Sequence, residues 1–99
     1  MPITFEDLWN KCENLHEGTV QGETSAQILD ELILKVNLYR VLDQKTEIPE
    51  EDRQNIKTRT MGEILLTLTK LSLKDNLNVY EALNIAMQYR SIEYFNQKY

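Results

Sequence analysis

Residues 26–42 read AQILDELILKVNLYRVL, and this stretch decides the fold. Ile28, Leu29, Leu32, Ile33, Leu34, Val36, Leu38, Tyr39, Val41 and Leu42 recur at helical spacing but fill almost the whole circumference. A helix apolar nearly all round must be covered on several sides, so other helices or a second subunit are expected around it. Asp30 and Glu31 interrupt the run. A carboxylate buried there needs a partner cation, a proton or a metal ion, because an isolated charge in an apolar interior is too costly. Rotation of both acids to solvent is the alternative.

Upstream, Phe5, Leu8, Trp9, Cys12 and Leu15 fall on one face of an amphipathic helix, with Thr4 and Asp7 set as a capping box. The helix is expected to end before Gly18, with His16 suited to the negative end of its dipole. Cys12 lies on the apolar face and reads as a core residue. Residues 17–23 read as a loop, and Thr24 with Gln27 caps the central helix.

Downstream, the central helix fades over residues 43–47. Pro49, followed by Glu50, Glu51 and Asp52, marks the start of a third helix running to about Lys74. Its inward face is expected to be Ile56, Met61, Ile64, Leu65, Leu68, Leu71 and Ser72, with a kink or late start near Thr58. Asn78 and Glu81 open a fourth helix, about Val79 to Asn96, lined by Tyr80, Leu83, Met87 and Tyr94 on one side and Ile85, Tyr89 and Ile92 on another. The expectation is therefore an all-α four-helix bundle in one domain, residues 1–99, completed by dimerisation because the second and fourth helices carry more apolar surface than one small bundle hides.

The 99 residues carry 11 basic and 16 acidic side chains, a net charge of −5. That balance disfavours binding to a phosphate backbone, so nucleic acid is not an expected partner. No long uncharged apolar run exists, so no membrane span is expected. The start, MPITFEDLW, lacks the marks of a signal peptide, and one cysteine permits no internal disulfide; both fit the cytoplasm.

Nucleophile elbows, phosphate-cradling glycine loops and histidine–cysteine metal motifs are absent from the sequence. What remains is oxygen chemistry: Asp30 and Glu31 on the second helix, Glu63 on the third and Glu81 on the fourth. Facing carboxylates on bundle helices hold hard cations such as Mg²⁺.

From Arg59 to about Tyr94 the sequence resembles the C-terminal half of the MazG-like all-α nucleoside triphosphate pyrophosphohydrolases. Met61-Gly62-Glu63-Ile64-Leu65 is similar to the G-D-I-L part of that family's third-helix motif, and Val79-Tyr80-Glu81-Ala82-Leu83 to its segment after the turn. Asp30-Glu31-Leu32 lines up with the second acid of its E-x-x-E helix. The resemblance implies a Mg²⁺-dependent nucleoside triphosphate pyrophosphohydrolase, with Glu31 and Glu63, and Asp30 as a further candidate, as metal ligands. It also implies Arg59, or a basic residue of a second subunit, as a phosphate contact. Yet Ile28 and Thr60 stand where the family's first acids stand. Losing half of the acids weakens the expectation of metal-assisted hydrolysis, so a non-catalytic helical binding or regulatory module acting through protein–protein contacts is the alternative.

Overall fold

The computed structural model describes residues 2–18 and 20–98, the side chains of residues 92–98 excepted. They form four α-helices, α1 (Phe5–His16), α2 (Ser25–Gln44), α3 (Glu50–Lys74) and α4 (Val79–Lys98), with no strand among the described residues. No helix among them is long and apolar enough to cross a membrane.

Both expected capping boxes form. The Thr4 hydroxyl accepts from the Asp7 amide at 3.1 Å, and the Thr24 hydroxyl accepts from the Gln27 amide at 3.1 Å. Each satisfies an amide that the first helical turn would leave without a partner. Pro49 is the cap of α3 rather than its first residue, and three acids follow it in the first turn. Residues 17–23 are not wholly a loop: Val20–Gly22 form a 3-10 turn that buries Val20 against α3.

The most extensive interface is between α2 and α3. Ser25 bonds Asp75, Lys35 bonds Thr67 and Lys57 bonds Asp43, so the two helices run antiparallel. Facing α3, α2 offers Ile28, Leu32, Lys35, Tyr39 and Leu42, buried or half-buried at alternating steps of four and three. That spacing is the seam of two helices packed side by side.

The packed sides of α3 match the expected face at Ser72, Ile64, Leu68 and Leu71 and depart from it elsewhere, with Thr67 turned to α2 and Thr69 to α1. Thr60, Thr67, Thr69 and Ser72 are buried, whereas Ile56, Met61 and Leu65 are exposed and Ile64, Leu68 and Leu71 are half-buried. Each of the three threonines donates its hydroxyl to the carbonyl four residues back, on Ile56, Glu63 and Leu65. Ser72 donates to Thr69. With the hydroxyl satisfied within its own helix, a threonine turns a small, largely apolar surface to its neighbour. α3 is a single continuous element despite these residues, and no late start occurs near Thr58.

α1 runs alongside α3 in the same direction: Phe5 and Gly62 share one cleft, and Glu17 and Leu73 share another. Of its expected inward face only Trp9 is buried, with Phe5 packed on the Trp9 ring at 5.8 Å; Leu8 and Leu15 are exposed. Among the described residues α4 has no interface comparable to these. Leu83, Ile85, Met87 and Tyr89 are all exposed; the expected inward residues Ile92 and Tyr94 have side chains outside the described residues.

The corner between α3 and α4 is tightly specified. Asn76 adopts a left-handed backbone (φ 54°), the Leu77 amide donates to the Ser72 carbonyl at 2.9 Å and the Asn76 amide to the Leu73 carbonyl at 3.2 Å. This is the Schellman helix ending. Two residues later the Asn78 side chain accepts from the Glu81 amide at 3.0 Å and starts α4. The radius of gyration, 16.8 Å, exceeds the roughly 13 Å of a compact domain of 100 residues, as a departing helix requires.

Candidate functional site

Glu31 and Lys35 lie one turn apart on α2. Glu63, Thr67 and Lys70 lie at steps of four and three on α3. Each set shares a helix face. The antiparallel packing brings the two faces together as a single ion cluster. The Lys35 ammonium donates to the Thr67 hydroxyl at 2.7 Å and lies 3.3 Å from Glu31 Oε1 and 3.4 Å from Glu63 Oε2. Lys70 takes the other Glu31 oxygen at 2.8 Å and reaches Glu23, just before α2, at 3.0 Å.

The electrostatics follow from this geometry. The hydrogen bond from Lys70 holds the Glu31 carboxyl below the ordinary glutamate range, against an opposing effect of burial and with help from Lys35. The same bond raises the Lys70 ammonium above its ordinary value, burial opposing and Glu23 assisting. The lysine side chains are largely covered, with 13% of Lys70 and 22% of Lys35 exposed.

Of the acids expected to bind metal, Glu31 and Glu63 thus converge, and the cation between them is Lys35. Asp30 is exposed and is not part of this cluster. Both Glu31 oxygens are engaged by lysines. Among the described residues no three or more of His, Cys, Asp and Glu are grouped to hold a metal ion. The donor set as arranged does not fit a divalent cation, which would have to compete with an ammonium for the same two carboxylates. Arg59 lines an open cleft of about 390 Å³ together with Lys35, Leu38, Thr60 and Glu63. Glu81 sits in the first turn of α4, with its amide bound by Asn78. Lys35, Lys70 and Glu23 were not singled out from the sequence. The Glu31–Lys35 spacing was the available signal, since acids and bases four apart on a helix pair readily.

A second feature is apolar. Phe5, Leu8, Trp9 and Cys12 of α1 and Gly62, Leu65, Leu66 and Thr69 of α3 line a cleft of about 250 Å³. On the flank of α2 beside Lys35, Leu34, Leu38 and Val41 form an exposed apolar ridge.

No protein-family model, no curated protein and no solved structure matches the chain.

Proposed function

We propose that the chain is a non-catalytic, MazG-like helical module that acts through protein–protein contacts and assembles as a homodimer. The observation that carries this reading is its unpartnered surface. The accessible area is 8065 Å², whereas a compact monomer of 11.7 kDa exposes about 5,900 Å². The excess, about 2,200 Å², lies within what one subunit of an obligate dimer buries, roughly 1,000 to 2,500 Å². Much of the exposed side-chain surface is large and apolar, on all four helices. A cytoplasmic setting accords with the free Cys12.

A divergent Mg²⁺-dependent nucleoside triphosphate pyrophosphohydrolase is the second reading. What favours it is the cleft in which Arg59 and Lys35 stand beside Glu63, two cations next to an acid. Against it stands Lys35 between Glu31 and Glu63, where that chemistry needs a metal ion. A panel of ribo- and deoxyribonucleoside triphosphates assayed with Mg²⁺ for pyrophosphate release separates the two. The module reading expects no release at high protein concentration; turnover that a Glu63→Gln variant loses would establish the enzyme instead.

A further inference from the structure

We propose that α4 of one copy docks in the cleft between α1 and α3 of a second copy, and reciprocally, with Leu83 and Met87 seated over Gly62. The inference rests on the homodimer reading and adds to it the surfaces that meet.

The left-handed Asn76, the two Schellman hydrogen bonds and the Asn78 cap fix the corner within four residues. Among the described residues, α4 makes no extensive packing with α1, α2 or α3 beyond this corner. Tyr80, in its first turn, is still half-buried beside the acidic side chains of α1, and this burial, then Glu6, Glu13 and Asp7, raises its phenol above the ordinary value. One turn later Leu83 is 59% exposed and Met87, four residues on, 61%. These two side chains share a face, which is how a helix anchors in an apolar groove.

The cleft between α1 and α3 is shaped to receive apolar side chains. Its lining holds no charged residue, and at about 250 Å³ it exceeds the ~150 Å³ cavity that admits a benzene ring, so it takes bulky side chains from outside. Gly62 lies on its wall in the interior of a 25-residue helix, where glycine is less stable than alanine. A Cβ built there would meet nothing within 4 Å. A lone chain gains nothing from its absence; a helix crossing at that point gains a close approach. The exposed ridge of α2 suits such a helix less well, since Leu34, Leu38 and Val41 come from one helix and form no groove between two.

Seating two α4 helices reciprocally covers apolar surface on both partners at once, and the excess derived above is of the size that a permanent dimer buries.

Cys12 lines the cleft and is the chain's one cysteine, so it reports directly on the occupant. The test pairs sedimentation equilibrium of the full chain with mild oxidation of Leu83→Cys and Met87→Cys variants, read on non-reducing gels beside the parent. The expected result is a dimer in which at least one variant forms a reducible, disulfide-linked dimer that the parent does not form. A dimer without such a link in either variant would overturn the placement of α4 while leaving the homodimer standing. A monomer would overturn both. A disulfide within one chain would show α4 folding back on its own body and would also overturn the proposal. A Gly62→Leu variant provides a second reading: with helical circular dichroism retained, the dimer dissociation constant should rise at least about tenfold, and an unchanged constant counts against the cleft as the seat.

Discussion

Lys70 of α3 stands 2.8 Å from Glu31 of α2, a cross-helix pair between residues 39 positions apart in the sequence. It ties the two longest-packed helices together at a point where Glu23 also reaches the same ammonium. Without Lys70, Glu31 keeps the Lys35 ammonium at 3.3 Å and its side chain is 35% exposed, so what is lost is one contact of a partly solvated network. Lys70→Met should therefore lower unfolding free energy by about 0.2–1 kcal/mol, measured by urea denaturation near neutral pH. No measurable change would show the pair to be solvated in practice.

The same pair predicts a pH dependence. Glu31 is ionised more readily in the folded chain than in the unfolded one, so its contribution is fully present above the ordinary value of 4.5 and is lost as pH falls through the lowered folded value. Lys70 behaves oppositely: its raised value gives a contribution fully present below 10.5 and lost as pH rises through the folded value. The stability difference between the parent and Glu31→Gln should thus be flat from pH 6 to pH 9 and shrink below pH 4.5. Denaturant titrations across that range check it.

Two buried threonines on α3 should respond differently to the same substitution. Thr69 bonds only to its own helix, so Thr69→Val removes a locally satisfied hydroxyl and should change stability by less than about 1 kcal/mol. Thr67 is fully buried and also receives the Lys35 ammonium at 2.7 Å. Thr67→Val should cost about 1–3 kcal/mol because it leaves that ammonium short of an acceptor. Equal effects at the two positions would mean that the Lys35 contact contributes little.

Lys35→Met should convert the cluster. With the ammonium gone, Glu63 loses its cation and Glu31 keeps only Lys70, so Mg²⁺ no longer competes with Lys35 for these carboxylates, and its binding to the folded chain then stabilises it. The melting temperature of this variant should rise with added Mg²⁺, while that of the parent stays constant. A parent that responds as strongly as the variant would return the metal reading to first place.

At the corner, Asn76→Gly should raise stability by roughly 0.5–1 kcal/mol and Asn76→Ala should lower it, because φ 54° suits glycine and opposes a Cβ. Thermal melts of the two variants read the sign directly.

The helices were legible because their ends are written in short-range chemistry. Thr4 with Asp7 and Thr24 with Gln27 need only their own neighbours to form a cap. The packed face of α3 was not legible in the same way. Apolar spacing selects Ile64, Leu68, Leu71 and Ser72, which are half-buried or buried, but also Met61 and Leu65, which are exposed, and it passes over Thr60, Thr67 and Thr69, whose polarity is cancelled inside the helix. On α1 the pattern correctly groups Phe5, Leu8 and Trp9 on one side of the helix. Periodicity says which residues share a side, however, and not whether anything covers it. The ion cluster shows the same limit. Glu31 and Lys35 can be paired from spacing alone, whereas Lys70 reaches them only through the register of α2 on α3, and Glu23 only through the path of the chain into α2.

The four-residue link from Asp75 to Asn78 has an evolutionary implication. Each residue of a helix advances about 100° around its axis, so inserting or deleting one residue in this link would rotate α4 by a large step without altering any helix. Its oily stripe would then aim at a different neighbour. Among descendants of this chain, changes in link length would reshape the assembly more readily than substitutions in the helices themselves.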